Sequence, residues 1–218
     1  MLYDCTRLAD RERGVAAAVD AVRRGDLVVL PTDTLYGIGT DAFKPWAVTT
    51  LLTAKGRGRD TPPPVMIGSR RTLDGLVLSL PKSARDLVEA FWPGPLTILV
   101  RYAPSLQWDL GDTGGTIAVR MPLHPVALEV LRETGPMAVA GASRVGQSMP
   151  RTAEEAKDQF GYMVNVYLES GPSTDAVPST IVDVTGEVPV LVRGGALGAQ
   201  RLREAAPDLI EPAQAGQG

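Results

Sequence analysis

The sequence predicts a single α/β domain built on a mixed sheet. Stretches with helical periodicity alternate with short apolar runs that suit buried strands. The last strand candidates follow one another closely enough to be hairpin neighbours. A chain of 218 residues, 44% hydrophobic and 22% charged, can bury one proper core with nothing in its composition to split it.

From the N-terminus, Val15, Val19 and Val22 share one face of a helix over residues 13–24, and Gly25 is placed to end it in a left-handed turn. Leu27–Leu30 reads as a buried strand, followed by a Thr- and Gly-rich turn over Pro31–Gly39. A helix near Ala47–Ala54 leads into a basic loop, Lys55–Arg59, and Val65–Ile67 is a short strand. Within Lys82–Trp92, residues Ala84, Leu87, Val88 and Phe91 form the stripe of an amphipathic helix, which Pro93 stops. Strands are expected at Thr97–Tyr102, Thr116–Met121 and Met137–Ala140, with a helix at Val126–Glu133 between the last two. Thr152 and Glu155 form a capping-box pattern that opens another helix. Strands near Val164–Leu168, Thr180–Val184 and Val188–Val192 complete one domain over residues 1–205, and residues 206–218 read as a flexible tail with little to pack.

Composition narrows the function. The longest apolar runs fall far short of the ~20 residues of a membrane span, and Asp4, Arg7, Asp10, Arg11 and Glu12 interrupt any signal-peptide core, so the expectation is a cytoplasmic protein with no membrane partner. Net charge is −3, which gives no polycation for tight duplex binding. Cys5 is the only cysteine and reads as incidental beside a flexible terminus. His124 is the only histidine and reads as structural, at the start of a helix. Without a His/Cys cluster there is no protein metal site to expect, and any metal should be a hard cation on phosphates. Neither a P-loop nor a Gly-x-Gly-x-x-Gly turn is present.

What remains is a set of strand-end turns carrying Thr, Ser, Lys and Arg, where ligands of open α/β sheets bind. Pro31-Thr32-Asp33-Thr34-Leu35-Tyr36-Gly37 follows a buried strand and could grip a small polar ligand or be only a tight turn. Lys55-Gly56-Arg57-Gly58-Arg59 gathers three cations around glycines, which suits a triphosphate and suits a solvated loop equally. Arg120 ends an apolar strand, and a cation so embedded calls for a partner, either a structural carboxylate or an anionic substrate. Ser179-Thr180-Ile181-Val182-Asp183 and Arg193-Gly194-Gly195 repeat the pattern.

Taken together and in order, Pro31–Gly37, Lys55 with Arg57, Phe91-Trp92-Pro93-Gly94-Pro95-Leu96-Thr97, Ile117–Pro125 and Ser179–Asp183 resemble the motifs of the YrdC family, over about Leu8–Leu202. The resemblance implies a twisted mixed sheet with flanking helices and a concave basic cleft. It implies an L-threonylcarbamoyladenylate synthase that condenses L-threonine, bicarbonate and ATP, with Mg²⁺ on the phosphates, and releases pyrophosphate. A tRNA threonylcarbamoyl-transferase complex would use the product at adenosine 37, and weak contact with RNA is part of the same implication. By resemblance, Thr32, Thr34 and Tyr36 shape the threonine side, Arg120 holds the threonine carboxylate, and Ser179 lies near it. Lys55 and Arg57 contact ATP and act as the catalytic pair, while Thr116, Ser143 and Arg193 line the nucleotide side. At Ala140-Gly141-Ala142-Ser143-Arg144 the chain departs from the family pattern: Gly141 stands at the family's Ser and Ser143 at its Asn. Two other readings stay open, a divergent paralogue making another carbamoyl- or acyl-adenylate and a non-catalytic nucleotide- or RNA-binding module.

Overall fold

The computed structural model describes residues 1–173 and 177–211. Its elements in chain order are β1 (Leu2–Asp4), α1 (Leu8–Arg24), β2 (Val28–Leu30), β3 (Gly37–Asp41), α2 (Pro45–Lys55), β4 (Val65–Met66), α3 (Arg70–Leu76), α4 (Lys82–Phe91), β5 (Leu96–Arg101), β6 (Thr116–Arg120), α5 (Pro125–Thr134), β7 (Met137–Gly141), α6 (Ala153–Phe160), β8 (Val166–Glu169), β9 (Thr180–Asp183), β10 (Val190–Arg193) and α7 (Ala199–Ala205). The strands form one sheet in the order β1-β8-β2-β3-β7-β4-β6-β5-β9-β10. Parallel pairs, such as β2 with β8 and β5 with β9, sit beside antiparallel ones, so the sheet is mixed. The expected hairpin-like pairing late in the chain is that of β9 with β10.

Alternation along the strands sorts side chains between layers. In β5, Leu96, Ile98 and Val100 enter the main core with Ile117 and Val119 of β6, which turns Thr97 and its cross-strand partner Arg120 out of that layer. A second cluster joins Val19 and Val22 of α1 to Val126, Val130 and Leu131 of α5 and to β2, β7 and β8. Each fully buried Leu or Val of this kind contributes ~2 kcal/mol by removal from water. Thr152 caps α6 as its pattern predicts, accepting the Glu155 N–H at 3.1 Å.

Four elements escaped the sequence reading. β3 lies within the expected Pro31–Gly39 turn and beyond it, because Gly37 and Gly39 read as turn residues while the chain uses them to pair with β7. β1, α3 and α7 are three to seven residues long, too short for periodicity to declare. The N-terminus is therefore not loose: β1 pairs with β8, and Cys5 is buried, its thiol pushed up to about 11 by burial. The tail also needs correction at its start, since Ala206 and Leu209 are buried and Ile210 bridges to Val190 of β10. Residues 212–218 of the expected tail lie outside the described residues.

Candidate active site

Strand ends from β2 across to the edge strand β10, together with the end of α2, surround a cavity of about 480 Å³. That volume is within the ~300–1,000 Å³ of small-molecule sites. Its lining includes Thr32, Thr34, Tyr36, Lys55, Arg57, Arg120, Ser143, Ser179 and Arg193, nine of the residues singled out in the sequence. Thr116 is not among them. It sits at the far end of β6 from Arg120, and its hydroxyl donates to the Thr113 carbonyl at 3.0 Å. Thr97, quoted in a motif but given no role, takes its place in the lining.

The Pro31–Gly37 turn is tied by its own hydroxyls. Thr32 Oγ1 accepts the N–H groups of Thr34 at 3.1 Å and Leu35 at 3.2 Å and donates to the Leu35 carbonyl at 2.6 Å, so it is fully used in shaping the turn. Tyr36 places its ring against the cavity, while its hydroxyl reaches the Glu169 carboxylate at 2.9 Å and accepts the Ser170 N–H at 3.0 Å. Burial pushes that phenol up, so it stays protonated.

Arg120 is 4% exposed, and of its two expected partners, a structural carboxylate or an anionic substrate, the fold supplies the first in Asp33. It donates through Nη2 to Asp33 at 2.6 Å, through Nη1 to Thr34 Oγ1 at 2.7 Å and through Nε to the Gly94 carbonyl at 3.1 Å. Asp33 also accepts the Leu123 N–H at 2.9 Å. A guanidinium has five N–H donors, so two of Arg120's have no partner among the described residues. The Phe91–Thr97 motif thus supplies a carbonyl that fixes the arginine's plane.

Lys55 corrects the basic-loop expectation, because it is the last residue of α2 and only 2% exposed. Its ammonium donates to the carbonyls of Gly141 and of Ser143, the latter at 2.6 Å. No carboxylate pairs with it among the described residues, and burial, helped by the charge of Arg57, lowers its pKa to about 8. Gly56 then takes φ 73, a left-handed turn favouring glycine, and this reverses the chain so that Arg57 returns to the cavity. Arg59 leaves the cluster and pairs with Asp109 at 2.8 Å. Sequence order alone could not separate the three cations.

Across the cavity, Ser179 Oγ and Thr97 Oγ1 are 2.8 Å apart, and Arg193 Nη2 donates to the Ser179 carbonyl at 2.7 Å and its hydroxyl at 3.3 Å. Gly195 lets these strands close: a Cβ there would stand 2.3 Å from the Pro178 carbonyl oxygen. His124 is the N-terminal flanking residue of α5 and does not line the cavity. Among the described residues the lining therefore carries Lys55, Arg57, Arg120 and Arg193 and no Asp or Glu, a focused positive field in a chain of net charge −3.

A family model described as "Telomere recombination", for Sua5, YciO and YrdC proteins, matches residues 20–195. The chain belongs to the Sua5/YciO/YrdC family. Within this family, a Mycobacterium tuberculosis protein provisionally named threonylcarbamoyl-AMP synthase is 54% identical over 202 residues, 93% of each chain. The Bacillus subtilis threonylcarbamoyl-AMP synthase is 32% identical over 197 residues, covering 89% of this chain and 57% of its own length. The crystal structure of Pyrococcus abyssi Sua5 complexed with L-threonine superposes with a TM-score of 0.85 at 32% identity, covering 91% of this chain and 58% of that one. The chain thus spans a little over half the length of these longer relatives. Among the described residues no helix is long and apolar enough to cross a membrane.

Proposed function

We propose that the protein is an L-threonylcarbamoyladenylate synthase: threonine and bicarbonate condense to an N-carboxylate with loss of water, and its oxygen displaces pyrophosphate from the α-phosphorus of ATP. The observation that carries this reading is the cavity with four cations, no lining carboxylate among the described residues and a hydroxyl cluster opposite them. The likeness to a Sua5 that binds L-threonine supports it. In this reading Lys55 and Arg57 neutralise the phosphates, and the two unspent N–H groups of Arg120 take the threonine carboxylate. Thr34 and the Tyr36 ring bound the amino-acid side, while Ser143 and Arg193 face the nucleotide side. Positioning and charge stabilisation then supply the rate, with no covalent nucleophile.

Magnesium fits only as part of the substrate. Among the described residues the lining has no carboxylate and there is no group of three potential ligands, so these residues offer the ion no cage of their own. It would arrive on the phosphates of ATP. The same reading places the protein in the cytoplasm and hands its product to the transferase complex that acts on tRNA.

The second reading, a different amino acid or carbamoyl donor, rests on the departure from the family pattern at Gly141 and Ser143. At the departure from the family pattern, Met149 packs over Gly141, its methyl carbon 2.8 Å from where a Cβ would stand. Purified protein with ATP, Mg²⁺, bicarbonate and a panel of amino acids, read by mass spectrometry, separates the two. Threonylcarbamoyladenylate as the principal product supports the first reading. A preference for another amino acid supports the second, and no adenylate with any of them overturns both.

A further inference from the structure

Thr97 is buried, 3% exposed, and faces the cavity from the second position of β5, where its register partner is Arg120. A polar side chain in such a place needs its proton accounted for. Its only side-chain partner among the described residues is Ser179 Oγ at 2.8 Å, and distance alone leaves the donor open. Burial and the hydrogen-bond inventory together favour one direction. If Ser179 donated to Thr97, the Thr97 proton would have no acceptor among the described residues, and Thr97, 3% exposed against 7% for Ser179, is the less accessible of the two to a ligand. If Thr97 donates, its proton is used, and Ser179 Oγ receives one hydrogen from Thr97 and one from Arg193 Nη2 at 3.3 Å. A serine oxygen has two acceptor lone pairs and one O–H. With both lone pairs filled from the protein, that O–H is left to point at whatever occupies the cavity.

We propose that Thr97 is a positioning residue that sets the proton direction of Ser179, making Ser179 an obligate hydrogen-bond donor to an anionic oxygen of the bound substrate. Arg193 contributes charge to the same end, and burial lowers its own pKa. A hydroxyl so aligned distinguishes an oxyanion, which accepts, from an ammonium, which cannot. The inference rests on the proposed function for the identity of the oxyanion, the threonine carboxylate or its N-carboxylate, and on geometry alone for the direction of the bond.

The test is a double-mutant cycle read in binding and steady-state kinetics: wild type, Thr97→Val, Thr97→Ser, Ser179→Ala and Thr97→Val with Ser179→Ala. Thermal unfolding of each checks that it folds, and Thr97→Ser keeps the test valid if valine does not fit. Threonine and pyrophosphate are titrated separately by calorimetry. Thr97→Val should weaken binding by about tenfold, the loss of one hydrogen bond to a charged group, and raise KM for threonine more than it lowers kcat. Thr97→Ser should restore wild-type values. In the Ser179→Ala background the valine substitution should add nothing, because the hydroxyl it orients is gone. Additive effects, or a Thr97→Val protein with wild-type affinity for both probes, overturn the proposal while leaving the proposed function standing. If threonine does not bind wild type but the cycle couples on pyrophosphate, the alignment of Ser179 stands and the proposed function falls. Wild-type protein that binds neither probe overturns both.

Discussion

Lys55→Met should make the ligand-free protein more stable and cripple its hold on nucleotide. The buried ammonium has no carboxylate partner among the described residues, and its pKa falls from 10.5 to about 8. At neutral pH that depression corresponds to about 3 kcal/mol of unfavourable charge burial. Methionine fills similar volume without the charge. It also removes the donor from the carbonyls of Gly141 and Ser143, which costs about 1 kcal/mol for each acceptor. The balance is a gain of about 1 kcal/mol, or ~2–4 °C in Tm for a chain of this size. Nucleotide affinity should meanwhile fall by ~10² or more, as expected when one partner of a desolvated charge pair is removed. The pH dependence identifies the cause. Between about 8 and 10.5 the unfolded chain keeps the Lys55 proton while the folded chain releases it, so the wild type gains stability with rising pH. The advantage of the methionine protein should shrink over that window. Urea unfolding of both proteins at pH 7 and pH 10, with calorimetric titration of ATP at pH 7, measures all of this. A methionine variant that is less stable at pH 7, or whose stability difference ignores pH, would refute the view of Lys55 as a strained, substrate-awaiting charge.

Other outcomes follow from the same geometry. ATP binding should take up a proton at pH 8–9, because phosphate restores the charge of a lysine whose free pKa is about 8; the signature is a binding enthalpy that changes with the ionisation enthalpy of the buffer. Above that pH the affinity should decline. Arg120→Lys cannot reproduce the three-way contact with Asp33, Thr34 and Gly94 and should reduce threonine affinity by ~10-fold or more while ATP binding changes little; equal loss of both ligands would contradict the division of the cavity. Gly141→Ser meets only the flexible end of Met149, so the protein should fold with a Tm within a few degrees of wild type. With Ser143→Asn added, threonine-dependent pyrophosphate release should rise if the altered segment weakens the proposed reaction, and an unchanged rate would remove that segment from the chemistry.

Much of the site was legible in one dimension because its chemistry needs particular side chains at strand ends. Thr32, Thr34, Tyr36, Lys55, Arg57, Arg120, Ser143, Ser179 and Arg193 could be named from residue type and motif order, and all nine line one cavity. The mixed sheet, the long helices and the cap at Thr152 also follow from periodicity and turn chemistry, which are local properties. The partners of those groups were not legible. Nothing local tells Thr116 from Thr97, since both are threonines in strands; only the registration of β5 on β6 puts Thr97 opposite Arg120 and leaves Thr116 at the far end. Nor does sequence show that Asp33 satisfies Arg120, that Arg59 turns to Asp109, or that Lys55 is buried against two backbone carbonyls. Residue identity determines which charges and hydroxyls the chain possesses. Which of them are buried, already paired or left free for substrate is decided by contacts between segments distant in sequence, and tertiary packing alone creates those.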